Sequence, residues 1–179
     1  GISFIELGLS LTVFSVVSGL TQTPVGFLVD RFGAQNILAA GLCAGGAAFM
    51  VLGFSLSYPA LIGCAALAGL ANSVYHPCDY ALLSSAMDER RMGRAFAIHT
   101  FSGYFGGAVA PAILLVLVAT VGLQWTLVIA GAVGPIMALS VVSMPIPKAA
   151  SSRTVAGGGR AGGTSIGSVL TTPLLLLTG

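Results

Sequence analysis

Charge is scarce in this sequence: of 179 residues only 12 are charged, seven Lys or Arg and five Asp or Glu, where an ordinary soluble domain carries roughly 25%. So few charges cannot clothe a water-soluble globule. The formal net charge is only +2, so no basic face offers itself to a nucleic acid, which is not expected as a partner. Cysteine is scarce as well. Cys43, Cys64 and Cys78 lie in apolar stretches with no CxxC pair, which argues against a disulfide framework or a zinc site and leaves them as small packing residues. The start lacks an initiator Met and a basic leader, so Gly1 to Phe14 does not read as a signal peptide. The last apolar run, Val169 to Leu177, is too short to cross a bilayer. Both ends therefore read as cuts in a longer chain.

Uncharged apolar sequence is what the chain has instead: 56% of it is hydrophobic and the mean hydropathy is +1.00. Crossing the roughly 30 Å hydrocarbon core takes about 20 residues at about 1.5 Å each. Residues 7–29, 32–78 and 95–147 carry no formal charge, which gives room for one span, then two, then two. The predicted class is all-α, a polytopic transmembrane helical bundle. Its five helices are expected at about 7–29, 35–56, 60–87, 93–121 and 123–145, within a bundle over 1–147. The segment 148–167, rich in Gly, Ser and Ala with three basic residues, reads as a flexible linker, and 168–179 as the start of a truncated sixth span.

The basic residues set the orientation. Arg31 follows the first span, Arg90, Arg91 and Arg94 the third, and Lys148, Arg153 and Arg160 the fifth. The two intervening loops have none, so the positive-inside rule assigns the loops at 30–34, 88–94 and 148–167 to the cytoplasm of a multi-pass cell-membrane protein. Small residues, Gly41 with Gly45 in the second span and Gly103 with Gly107 before Pro111 in the fourth, invite close helix packing.

Gly26-Phe27-Leu28-Val29-Asp30-Arg31-Phe32-Gly33 joins the first two spans. Asp30 and Arg31 could be plain interfacial anchors, with Gly33 permitting a tight turn. Equally, Asp30 can meet a helix N-terminus or a basic side chain such as Arg94 and so latch one conformation of a moving bundle. The octapeptide resembles the loop signature G-x-L-x-D-R-x-G of the major facilitator superfamily, matching at Gly26, Leu28, Asp30, Arg31 and Gly33. Ala34 and Gln35 stand where that family usually carries basic residues. The resemblance implies that the spans are helices two to six and the start of seven in a twelve-helix fold, with the missing C-terminal half of the same protein as a partner. More narrowly, Tyr75-His76-Pro77 and the run from Ile98 to Gly106 with Pro111 resemble the branch containing fosmidomycin resistance efflux proteins.

Asn72, His76 and Asp79 are spaced at i, i+4 and i+7 in the third span, which predicts one shared face. Counted from Asp88, His76 lies about 18 Å and Asp79 about 13 Å deep, and an acid there costs on the order of 3 kcal/mol unless it faces protein or water. These residues are candidates for proton coupling or a substrate cavity; interhelical hydrogen bonding and snorkelling are the bland alternatives. His99, only about 8 Å inside Arg94 by the same count, reads as a hydrogen bonder. Because the two histidines then differ by about 10 Å in depth, no metal site is expected. Gly157-Gly158-Gly159-Arg160 lacks the ending of a phosphate-binding loop, no cofactor is indicated, and no nucleophile motif suggests an enzyme. What the superfamily resemblance implies is secondary active transport of a small molecule across the lipid bilayer, driven by protons or another coupling ion, and the narrower resemblance alone implies efflux. The rivals are a non-transporting receptor or structural subunit with the same fold, and a membrane-embedded enzyme.

Overall fold

The computed structural model describes residues 2–145, and these are all helix and turn. The linker and the truncated span expected at 148–179 lie outside the described residues. Helix α1, Phe4–Phe32, opens on a capping box. The Ser3 hydroxyl accepts from the Glu6 N–H at 3.3 Å and the Ser3 N–H donates to the Glu6 carboxylate at 2.7 Å, so two orphan donors of the first turn are satisfied. It ends at Gly33, whose φ of +85° is open to glycine at no steric cost. Helix α2, Ala34–Phe54, follows at once. Ser57 then caps α3, Tyr58–Asn72, accepting from the Ala60 N–H at 3.4 Å, with Pro59 in the first turn where its missing N–H is harmless.

The span expected to be continuous over 60–87 is interrupted. Helix α3 stops at Asn72, Ser73 and Val74 form a turn, and α4 runs Tyr75–Ala86. Pro77 supplies the reason, because it cannot donate to the carbonyl four residues back and its ring crowds that carbonyl, which belongs to Ser73.

Helix α5 runs Glu89–Ser143, 55 residues with non-helical geometry at Gly122 (φ 82°, ψ 165°). Unbroken it would be about 80 Å long, far more than the hydrocarbon thickness, and each side of the break at Gly122 is long enough for a crossing of its own. The Thr126 side chain, 2% exposed, donates back to the Gly122 carbonyl at 2.8 Å. Other hydroxyls follow the same economy. Ser10, Thr21, Ser73 and Ser102 donate to carbonyls three or four residues earlier, and among the described residues no buried side-chain polar atom is left without a partner. In a bilayer, where no water replaces a lost partner, this is a condition of stability.

Close pairs give the directions. Gly46 faces Gly131 and Gly134, Gly53 faces Gln124 and Val128, and Gln35 reaches Val141 and Met144, so α2 is antiparallel to α5 beyond Gly122. Gly41 against Val74, and Gly45 against Ala71 and Tyr75, make α2 antiparallel to α3 and α4. Asn72 meets Ser18 and Gly69 meets Phe14, so α1 and α3 run the same way. The chain thus goes up and down, with Gly33, Asp88 and Met144 at one end and Ser55 to Ser57 and Gly122 at the other. Arg31, Arg90, Arg91 and Arg94 all belong to the first end.

The apolar core is Val25, Val29, Leu38, Val74 and Cys78, the last fully buried. Side chains of α5 between 97 and 121 are mostly exposed, which suits apolar residues whose surroundings are hydrocarbon.

Candidate functional site

Beyond the break, α4 aims Asp79 at α5. Its carboxylate lies 3.2 Å from Nε2 of His99, with the two side chains 24% and 46% exposed respectively. This is the one contact between an acidic and a basic side chain among the described residues, and it is an ion pair only when the imidazole carries a second proton. His76, one turn back on α4, lines the same cavity of about 370 Å³, together with Tyr80, Phe96, Thr100 and Tyr104. The Tyr80 and Phe96 rings meet across the helix pair, centroids 5.1 Å apart and tilted by 45°. A carboxylate in the membrane interior is tolerable when it is paired or neutralised. Here an imidazole partner on a second helix supplies the pairing, and its own charge depends on one proton.

Depth counting had separated the two histidines by about 10 Å, and the cavity holds both. The discrepancy comes from the reference point. Helix α5 starts at Glu89 rather than near residue 93, so Arg94 already sits a full turn into the helix and His99 lies about 15 Å from its start. That matches the depth of Asp79. Among the described residues, no group of three His, Cys, Asp or Glu side chains converges closely enough to hold a metal ion.

Asn72 does not join the group. Its amide donates to the Ser18 hydroxyl of α1 at 2.9 Å, and it borders a different cavity of about 560 Å³ between α1, α2, α3 and the end of α5, with Phe14, Cys64, Tyr75 and Met137. That larger hollow has no charged side chain in its wall, whereas His76, Asp79 and His99 all line the smaller one. Helical periodicity alone predicted a common face for Asn72, His76 and Asp79; the interruption at Ser73 and Val74 is what parts them.

Asp30 borders a third cavity, about 330 Å³, where the end of α1 meets Pro77 and Ala81 of α4. It makes no ion pair with Arg94 among the described residues, and Arg31 lies over the Phe32 ring at 5.3 Å from its centroid. Gly33 provides the turn. Of the small residues singled out, Gly41 and Gly45 are pressed against Val74, Ala71 and Tyr75, whereas a Cβ at Gly103 or Gly107 would meet nothing within 4 Å. Pro111 lies inside α5. Glycines that were not singled out also make close helix contacts: a Cβ on Gly46 would come within 2.8 Å of Pro135 and 3.3 Å of Gly134.

Two structural features escaped the sequence reading. Phe96 and Tyr104 flank His99 and Gly103 at helical spacing, a periodic aromatic face that could have been found. Gln35 could not have been. Its amide Nε2 donates to the carbonyls of Val141 at 2.6 Å and Met144 at 2.9 Å, with Val142 at 3.3 Å, so the first turn of α2 closes the last turn of α5 across more than a hundred residues.

The up-and-down helices, the signature loop at Gly33 and the Asp79–His99 contact are joined by one further observation: the sequence profile of the Major Facilitator Superfamily matches residues 1–179. The chain belongs to the Major Facilitator Superfamily. Curated relatives agree. The chain is 28% identical over 121 residues to the fosmidomycin resistance protein of Escherichia coli, covering 68% of this chain and 30% of that protein. It is 24% identical over 139 residues to an Escherichia coli protein named "Probable L-galactonate transporter" (78% and 31%) and 28% identical over 134 residues to a "Probable sulfoacetate transporter" of Cupriavidus necator (74% and 31%). It thus spans about a third of the length of these relatives. Four of its helices are long and apolar enough to cross a membrane, as befits a multi-pass membrane protein of this superfamily, and two of these relatives carry transporter names.

Proposed function

We propose that this chain is part of a secondary active transporter of the cell inner membrane that exports a small molecule in exchange for protons. It acts by alternating access, together with a C-terminal half of the same protein. The observation that carries this reading is the Asp79–His99 pair, 3.2 Å apart on two helices inside the membrane, with His76 in the same cavity. A carboxylate and an imidazole in contact form a unit that can share one proton and give it up to one side or the other. The fosmidomycin resistance protein supports the export direction through its name. Asp30, beside α4 in the signature loop, serves in this reading as a conformational latch, and the end carrying Arg31, Arg90, Arg91 and Arg94 faces the cytoplasm, with the loops at 30–34, 88–94 and 148–167.

The test is Asp79→Asn in the intact transporter reconstituted in vesicles. Gradient-driven transport should be lost while exchange of substrate across the membrane without a gradient persists. Transport with wild-type pH dependence in this variant would assign Asp79 a structural role.

A further inference from the structure

The side of α5 turned away from α4 carries a pattern of its own. At 3.6 residues per turn, Arg90, Arg91 and Arg94 fall within roughly 100° of arc, and all three are exposed. Ile98, Phe101 and Phe105 continue that stripe down the helix at i+3 and i+4 spacing from Arg94. They are 57%, 69% and 60% exposed. The Phe101 and Phe105 rings stack with centroids 6.0 Å apart and planes within 19°, which makes a flat apolar wall directly beneath the cations. Phe96 and His99, which line the cavity shared with α4, belong to the other side of the helix.

We propose that this face of α5 binds an anionic glycerophospholipid, its phosphate held by the three guanidiniums and its acyl chains laid along Ile98, Phe101 and Phe105. The depth is right for it. From Arg94 to the break at Gly122 the helix rises about 42 Å at about 1.5 Å per residue, against roughly 40–45 Å for a bilayer with its headgroup layers. With Gly122 in one headgroup layer, Arg94 lies in the other, level with lipid phosphate. Topology alone asks only for basic residues near the end of a span. It does not ask them to share a face, nor to stand at the head of an exposed apolar stripe.

The neighbouring acids leave the arginines available. Asp88 precedes the helix and Glu89 lies outside the arginine arc, and among the described residues neither Asp30 nor Asp88 pairs with any of the three. Guanidinium donates two parallel bonds to phosphate oxygens, which suits it to this headgroup. A zwitterionic lipid brings its own cation to the cluster and gains less, and free phosphate has no chains to cover the rings. The site therefore selects the intact anionic lipid, whatever the chain transports.

The probe is dioleoylphosphatidylglycerol, titrated into the intact purified transporter in detergent and counted by native mass spectrometry, with dioleoylphosphatidylcholine as the zwitterionic control. The first phosphatidylglycerol should bind at least about tenfold more tightly than phosphatidylcholine, and the preference should shrink as salt is raised. Arg90→Gln, Arg91→Gln and Arg94→Gln should each weaken it about fivefold, and the triple variant should lose the preference. Where the triple variant fails to insert, the single variants and the salt series carry the test. Phe101→Ala should weaken the lipid several-fold without touching a charge. Equal binding of the two lipids overturns the proposal, as does undiminished preference in a triple variant of wild-type elution profile. Displacement of the lipid by an equal concentration of glycerophosphoglycerol, the headgroup without chains, would reduce the face to a phosphate site and overturn it too. Absence of any tightly held lipid on the intact protein would assign the stripe to a protein neighbour such as the C-terminal half, and the lipid reading would fall.

Discussion

Replacing Gln35 by Ala should loosen the end of the bundle that carries the signature loop. The last four carbonyls of a helix have no partner within it, and α5 ends at Ser143 with the Gln35 amide donating to Val141 at 2.6 Å and Met144 at 2.9 Å. An NH₂ group has two hydrogens, so these two contacts saturate it. At 0.5–1.5 kcal/mol each, the pair contributes at most about 3 kcal/mol. Since the Met144 and Val142 contacts are exposed and water can replace the donor, about 1 kcal/mol is the expected loss, a fall in Tm of about 2–4 °C. The sign across a series is more diagnostic than the size. Gln35→Lys keeps a donor and adds a positive charge at a helix C-terminus, so it should match or exceed the wild type. Gln35→Glu turns a carboxylate toward carbonyls and the negative end of the helix dipole, so it should fall below Gln35→Ala. Thermal unfolding of the intact protein in detergent, followed by intrinsic fluorescence, reads all three. A Gln35→Glu variant as stable as the wild type would refute the capping role.

Gly46→Ala should destabilise by about 1–3 kcal/mol in the same assay, because the added methyl meets Pro135 and the Gly134 backbone, while Gly107→Ala, with nothing within 4 Å, should be neutral or gain up to about 1 kcal/mol of helix propensity. Asp30→Asn should slow transport several-fold with membrane abundance and substrate binding kept; an unchanged transport rate would make Asp30 an interfacial anchor. Cysteines introduced at Ser152 and Ser57 of the intact protein should label from opposite faces of the membrane, Ser152 from the cytoplasm, and labelling of both from one face would refute the orientation.

Hydropathy made the fold class legible because a bilayer demands long uncharged helices and the charge-free segments have the lengths for them. The turn at Gly33 was legible for a different reason: glycine alone takes a positive φ at no steric cost, and it stands between two apolar runs. The ion pair was half legible. Asp79 drew notice as an acid deep in a span, but its partner His99 was read as shallow because its depth was counted from Arg94, five residues inside the helix start at Glu89, an error of about 7 Å at about 1.5 Å per residue. The grouping of Asn72 with Asp79 failed for a local reason, since periodicity holds only while the helix is unbroken and Pro77 breaks it. Gln35 shows the limit of such reading. Nothing within 30 residues of it signals a bond to residues 141 and 144; its role exists only once α2 and α5 lie antiparallel, and that register is set by Gly46, Gly53, Gly131 and Gly134.

The interruption of the third span has a consequence for how the site and the signature loop are joined. Helix α3 is held to α1 by Asn72 on Ser18 and by Gly69 against Phe14. Helix α4 touches α1 elsewhere, through Pro77 and Ala81 at the cavity of Asp30. Asn72 and Ala81 are nine residues apart, half a turn out of phase in an unbroken helix, so the turn at Ser73 and Val74 lets both face the same neighbour. Only one residue, the fully buried Cys78, separates Pro77, beside Asp30, from Asp79, beside His99, and it locks α4 into the core with Val25 and Val29 of α1. In the transport reading, a proton lost from the pair changes the force between α4 and α5. A close-packed short helix moves as a body rather than bending, so the displacement would reach Asp30 directly while the turn at Ser73 spares α3. A continuous third helix would carry the same disturbance toward the opposite face of the membrane, and the proton site and the latch would lose their private connection.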